Sequence, residues 1–398
     1  MGKSVTPAGF SIGGWCGINP GGDPFGDAVR NIGMDEFLDV LGTTAIQRVS
    51  FHDRDLWPDD AAPALVTEVI GHTKERCSAA GVEIYNFTSN NFSNPCFRSG
   101  AFSSPFPQVR AAAIVKGCNA CDHANEFGAK HVIWWGGREG SDGAYEQDPG
   151  LGLARYMLGL KICVRYGLEK GYKLIHTIEP KVYEPRLLAL YAGTGASAAS
   201  AIRHYFHEPA FAGRVLVNPE YPQHVAMVNL DPVFELGQLL EEGMLAPFIH
   251  FGGQIAGRMD CDLPPGFGSN VYTDFMIVLT LNRRGWNGVV EFDCRPPRTT
   301  TSCQGLTGFL NGAVGYWRML EDKVAAYFAD AQIADLEGAL MAEEDSTVGS
   351  LLAASSVTEG VGRLRANFKG FAAAADVNTD VIEAYQRRVM SIITGTAK

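Results

Sequence analysis

The chain has no surplus of positive charge. Its 33 Lys and Arg stand against 44 Asp and Glu, a formal net charge of −11. Nucleic acid and anionic membrane surfaces both select a basic face, so the balance argues against either as a partner. A disulfide framework is also lacking: the nine Cys are an odd number scattered over the whole length. A reducing compartment is the expectation. The lone pair Cys118 and Cys121 has no second pair nearby and falls in the helical stretch 108–127, so it reads as core. No apolar run is long enough to span a membrane, and no basic-then-apolar leader pattern is present, which together point to the cytoplasm. Internal repeats and low complexity are missing too, and no GxGxxG follows the first strand-like run, which argues against a dinucleotide fold. What is present is apolar material: 46% of 398 residues, enough for a sizeable core and incompatible with global disorder.

That apolar material is organised. Strand-like runs occur at 10–15, 45–51, 82–87, 130–135, 172–178, 214–218, 246–251 and 288–293. Between most of them lie stretches of 3.6-residue periodicity, at 34–41, 64–79, 151–168, 197–206, 232–242 and 272–282. Eight strands, each followed by a helix, predict an α/β fold, a (β/α)8 TIM barrel, over residues 1–322. Residues 323–398 show no further strand. Helical stretches at 325–342 and 372–393, joined by small residues around 350–356, predict a C-terminal helical extension. Its apolar stripes need a surface to cover them, either the barrel's own or a neighbouring subunit's.

In this fold the chemistry gathers at the C-terminal ends of the strands. Strand one ends at Trp15, strand two in His52-Asp53-Arg54-Asp55, strand three in Thr88-Ser89-Asn90, and strand four in Trp134-Trp135. Strand five delivers Glu179 and Lys181, and strand six Glu220 with His224 close behind. Strand seven contains His250, its loop carries Asp260 and Asp262, and strand eight ends in Asp293. Singly, each has a plain structural reading: a scaffolding histidine, a turn aspartate, a core tryptophan. Their convergence is different. Five carboxylates in a small volume repel one another unless cations neutralise them. Oxygen-rich ligands with one or two imidazoles suit Mg²⁺, Mn²⁺ or Co²⁺. Two divalent ions are the expectation, with Glu220 placed to bridge them.

These residues resemble the xylose (glucose) isomerase family. The likeness is carried by Asp23-Pro24-Phe25-Gly26-Asp27, Phe51-His52-Asp53-x-Asp55, Trp135-Gly136-Gly137-Arg138-Glu139-Gly140, Ile178-Glu179-Pro180-Lys181, Asn218-Pro219-Glu220, Asp260-x-Asp262-Leu263 and Phe292-Asp293-x-Arg295-Pro296-Pro297-Arg298-Thr299. The resemblance implies an aldose–ketose isomerase that moves a hydride between C1 and C2 of an open-chain sugar. It implies one ion held by Glu179, Glu220, Asp293 and a strand-seven residue, and a second held by Glu220, His224, Asp260 and Asp262. His52, oriented by Asp55, would assist ring opening, and Lys181 would polarise the carbonyl oxygen. Trp15, Trp135 and Thr88 would line the sugar pocket, with Phe25 reaching in from a neighbouring subunit of a homo-oligomer, dimer or tetramer.

The chain departs from the family pattern at three places. The strand-seven ligand, normally Asp, is matched by His250. The histidine after strand six is one residue late, so either Gln223 or His224 fills its place. Arg295 stands where Lys is usual. Ile133, two residues before Trp135, replaces a smaller Val and is expected to narrow the pocket against hexoses. Asn86, Asn90 and Asn91 are read as pocket wall. These departures leave room for a related epimerase or rare-sugar isomerase, or for a non-catalytic sugar- or metal-binding relative.

Overall fold

The computed structural model describes residues 7–23, 25–182, 189–222, 230–340, 351, 353, 355–372 and 379–397. Eight parallel strands make the barrel: β1 (Gly9–Gly13), β2 (Ile46–His52), β3 (Glu83–Thr88), β4 (His131–Trp135), β5 (Ile175–Glu179), β6 (Val215–Val217, resuming at Glu220–Tyr221), β7 (Phe248–Phe251) and β8 (Val289–Phe292). Neighbours run β6–β5–β4–β3–β2–β1–β8–β7, and the resumed part of β6 pairs with β7, which closes the ring. The closure falls at Asn218-Pro219. Asn218 N donates back to Ile178 O of β5 at 3.1 Å, whereas Pro219 O accepts from His250 N of β7 at 3.0 Å. Strand six therefore changes partner across two residues, and Glu220 emerges beside His250 in register. This is a (β/α)8 TIM barrel with a C-terminal helical extension.

Several element ends differ from expectation for local reasons. β1 stops at Gly13, and Trp15 sits in a short helix, Gly14–Ile18. A Cβ at Gly13 would stand 2.3 Å from the Trp15 ring, so glycine is what lets the indole fold back against the strand end. β5 starts at Ile175 rather than 172 because Tyr172 closes the preceding helix, Pro149–Glu169: its N–H donates to Gly167 O at 2.9 Å and its hydroxyl to Asp122 at 2.7 Å. Ile133 is fully buried in a cluster with Tyr85, Ala246, Phe248 and Val289, and it is not among the residues lining the cavity described below. The expected narrowing of a sugar pocket by Ile133 is not carried by its position.

The chain divides into two compact units, Lys3–Leu320 and Glu321–Lys398. In the second, the helical stretch expected at 325–342 is broken at Asp330. The Asp330 carboxylate accepts from Ile333 N at 2.9 Å, starting the helix Ala331–Leu340, and accepts from Arg388 Nε at 3.0 Å. The helix expected at 372–393 is Asp380–Thr394, with 373–378 outside the described residues. Helix Val357–Asn367, capped by Ser356, was not anticipated. All nine cysteines are free thiols, Cys118 and Cys121 included.

Two histidines in the barrel wall make a test of the fold. His131 and His176 are buried, and burial pushes each imidazole down to about 3, aided by Lys130 for the first and Arg214 for the second. Both are neutral in the native state, while the unfolded chain protonates them near pH 6.5. Below that pH the unfolded state binds more protons, so stability falls as pH falls, over the window from about 6.5 down to about 3, by up to ~1.4 kcal/mol per pH unit for each group. The stability of the wild type relative to His176→Asn, read from denaturant midpoints in EDTA, should decrease as pH falls from 7 to 5.

Candidate active site

At the C-terminal mouth of the barrel lies a cavity of about 290 Å³, lined by Trp15, His52, Asp55, Thr88, Asn90, Phe92, Trp135, Glu179, Lys181, Asp260, Asp262, Asp293 and Arg295. A larger hollow of about 760 Å³ lies between helices Pro63–Ala80 and Pro107–Phe127. It gathers no comparable cluster of carboxylates, so chemistry rather than volume selects the mouth.

The His52–Asp55 pair is a product of local structure. His52 ends β2 and caps the short helix Asp53–Leu56. Asp55 Oδ2 accepts from the backbone N of His52 at 2.7 Å and lies 3.1 Å from its Nδ1. Burial pulls the imidazole pKa down, but Asp55, Asp53 and Asp293 outweigh it and hold it above the ordinary value. Around it stands an aromatic wall: Trp15 at 4.2 Å and Phe92 at 5.7 Å between ring centroids, with Phe92 edge-on to Trp135 at 4.2 Å. The glycines after Trp135 are required there, since a Cβ at Gly137 would stand 2.4 Å from the indole. Glu139 of the same motif is structural: its carboxylate accepts from Phe102 N and Ser103 N, both at 2.8 Å. Asn90 lines the cavity, but Asn86 and Asn91 do not, so their expected place in the pocket wall is corrected. Asn86 points to the buried Glu291, and Asn91 to Ala113 O.

The acidic residues fall into two groups whose ligand atoms lie within 4.8 Å of one another: Glu179, His250 and Asp293, and Glu220, Asp262 and Asp293. Asp293, rather than Glu220, belongs to both. Its Oδ1 accepts from Trp15 Nε1 at 2.9 Å, and its Oδ2 lies 3.5 Å from His250 Nδ1. Glu179 Oε2 is 3.4 Å from the same nitrogen. Lys181 Nζ donates to Asp260 Oδ2 at 2.6 Å and lies 2.8 Å from Glu220 Oε2. The loop bearing the two aspartates is shaped by Gln254, whose amide accepts from Cys261 N at 2.9 Å and donates to Arg258 O at 3.1 Å. Asp262 adopts a left-handed φ of 43°, a strained conformation for a residue with a side chain, and Arg295 clamps it with Nε 2.9 Å from Oδ2. His224 and Gln223 lie outside the described residues.

Electrostatics shows what the cluster wants. Burial, then Asp260, Asp293 and Glu179, hold the Glu220 carboxyl well above the usual carboxylate range, against the pull of Lys181. Burial, Asp260 and Asp293 do the same to Asp262. Asp293 is the exception: despite burial, His250, Lys181 and Trp15 hold it low. A cluster that cannot ionise fully without added positive charge, built from oxygens and one imidazole, fits divalent cations. Both ring nitrogens of His250 are buried among carboxylates: Nδ1 faces Glu179 and Asp293, and Nε2 faces Glu291.

Phe25, expected to reach into a neighbouring subunit's pocket, does not line the cavity of its own chain. It is 99% exposed, on a loop tied down by Arg298, whose Nε lies 2.9 Å from Asp23 Oδ2. Arg30 secures the adjoining segment of the same chain by donating to Pro296 O and Pro297 O, each at 3.0 Å. Phe92 lines the cavity although no sequence motif singles it out.

Two solved structures show the same fold. An L-ribulose 3-epimerase superposes with a TM-score of 0.57 at 12% identity, covering 81% of this chain and 98% of its own. A putative xylose isomerase from Rhodospirillum rubrum gives 0.57 at 13% identity, covering 78% and 98%. Fold and site together define the class: a TIM barrel whose acidic mouth holds two groups of side chains that could bind a metal ion. In sequence, the xylose isomerase of Thermus caldophilus is 31% identical over 351 residues, 85% of this chain and 86% of that protein. The chain belongs to the xylose isomerase family. No protein-family model matches it.

Proposed function

We propose that the protein is a metal-dependent aldose–ketose isomerase acting on an open-chain sugar. The observation that carries this reading is the single mouth that brings together the His52–Asp55 pair, Lys181 and two cation-competent groups sharing Asp293. One ion would be held by Glu179, His250 and Asp293. A second would be held by Glu220, Asp262 and Asp293, with Asp260 and either His224 or Gln223 completing it. Bound divalent ions supply Lewis acidity to the sugar oxygens. With imidazole in the first set, Mn²⁺ and Co²⁺ suit the site better than Mg²⁺.

The residues divide the remaining work. His52, its Nδ1 engaged by Asp55, exchanges a proton with the ring oxygen and the C1 hydroxyl through Nε2. Lys181 donates to the carbonyl oxygen at C1. The net change is a hydride, with its electron pair, from C2 to C1, and a proton from O2 to O1. That chemistry needs electrophiles and a dry wall rather than a strong base, and Trp15, Phe92 and Trp135 provide the wall. Thr88 and Asn90 remain to bind hydroxyls.

We read residues 1–322 as the catalytic domain and 323–398 as a tail that packs on a neighbouring subunit of a homo-oligomer, dimer or tetramer, in the cytoplasm. Phe25 at 99% exposure, and Phe371 at 84% in the tail, are large apolar side chains that an assembly would cover. Among the described residues, no helix is long and apolar enough to cross a membrane. A second reading, a ketose 3-epimerase, is favoured by fold neighbours such as L-ribulose 3-epimerase. A panel of aldoses and ketoses incubated with Mg²⁺, Mn²⁺ or Co²⁺ decides. Aldose–ketose conversion that is abolished by EDTA is the expected result. Interconversion of ketoses at C3 alone would install the epimerase, and turnover unaffected by EDTA would remove the metals.

A further inference from the structure

An imidazole serves a metal well when its other nitrogen is held by an acceptor. Behind His250 the barrel supplies one. Nε2 of His250 lies 3.2 Å from Glu291 Oε1, while Nδ1 faces Glu179 at 3.4 Å and Asp293 at 3.5 Å. Glu291 is fully buried and belongs to neither ligand group. Its other oxygen, Oε2, accepts from Ser11 at 2.6 Å, Ser50 at 2.5 Å and Asn86 at 2.8 Å. Asn86 is itself fixed, since its Oδ1 lies 2.7 Å from His131 Nδ1, which orients the amide so that the nitrogen points at Glu291. Strand register makes the arrangement: Ser11 of β1 and His250 of β7 both stand opposite Glu291 of β8.

Three donors occupy Oε2 and turn Oε1 toward His250. An acidic side chain buried this deeply is costly unless it is hydrogen-bonded and paired, and the three donors on Oε2 leave Oε1 for the imidazole. We propose that Glu291 is a positioning residue for the metal centre: it accepts the Nε2–H of His250, fixes that tautomer, and so presents Nδ1 as a cation ligand between Glu179 and Asp293. The proposal rests on the metal reading above.

The test is calorimetric titration with Mn²⁺ and with Mg²⁺ of the wild-type chain, Glu291→Ala, Glu291→Gln, His250→Ala and the double variant. The wild type should bind two ions. Glu291→Ala should weaken one site roughly 10–100-fold and leave the other unchanged, and Glu291→Gln, which keeps an acceptor, should recover most of the loss. In the His250→Ala background, Glu291→Ala should change nothing further, because Glu291 acts through the imidazole. Ser50→Ala loosens the cradle without opening the core and should weaken the same site, which decides the matter if Glu291→Ala does not fold. Unchanged affinity in Glu291→Ala or in Ser50→Ala, or an equal loss with and without His250, would overturn the proposal. Failure of the wild type to bind any ion would instead overturn the metal reading, before a variant is made.

Discussion

Asp293→Asn is expected to abolish the rise in melting temperature that Mn²⁺ produces over EDTA, and to lower turnover by at least roughly 10²–10³-fold, the scale of losing one charge-stabilising group. Asp293 is the one residue common to both ligand groups, so a single uncharged replacement weakens both. The amide oxygen keeps the hydrogen bond from Trp15 Nε1, so the barrel mouth retains its shape while it loses the charge that faces His250 and Lys181. The wild type should gain about 2.7 kcal/mol when the ion is present at a hundredfold excess over its dissociation constant. Paired thermal melts read this directly. An Asn variant that still gains stability from Mn²⁺ as the wild type does would exclude Asp293 as a ligand.

Lys181→Met should move the same quantity in the opposite direction. In the ion-free chain the ammonium lies 2.6 Å from Asp260 and 2.8 Å from Glu220, and it is 5% exposed. Removing one member of a buried charge cluster typically costs 3–5 kcal/mol. The cost falls on the ion-free form, because bound cations neutralise the same carboxylates. The gap between the EDTA and Mn²⁺ melts should therefore widen in Lys181→Met, whereas it closes in Asp293→Asn. Turnover should fall roughly 10²–10³-fold in both. A Lys181→Met variant with an unchanged gap would show that the lysine does not stand in for a cation, and one with undiminished turnover would remove it from the reaction.

Much of this architecture is legible in the sequence because barrel strands are short apolar runs whose polar residues cluster at one end. His52, Glu179, Glu220 and Asp293 stand where a run ends, Asp260 and Asp262 in the loop beyond another, and the fold brings them to one mouth. Distance along the chain does not reveal which carboxylate two ions would share. Glu220 is the expected bridge, and only the side-chain positions bring out Asp293 as a second candidate, present in both groups. Glu291 was hidden for a different reason. It lies inside an apolar run, where one charged residue reads as tolerated rather than placed. The signal was available in the inward positions of other strands: Ser11, Ser50, Asn86 and His131 form a polar layer that an apolar barrel core would not need. Ile133 misled because its nearness to Trp135 in sequence suggested a pocket wall, yet it packs in the cluster with Phe248. In the tail, periodicity ran through Asp330 unbroken. Only the ion pair with Arg388 and the cap on Ile333 show why the helix ends there.

In the proposed reaction, hydrogen moves between two carbons as hydride inside a dry mouth that holds divalent cations. The direct measurement is conversion of an aldose deuterated at C2, with Mn²⁺ present, followed by NMR of the ketose formed in ordinary water. Hydride transfer carries the label to C1, and the account predicts a ketose that retains it there. A ketose that has lost deuterium to solvent would show that a base removes a proton instead, and would contradict the mechanism assigned to this site.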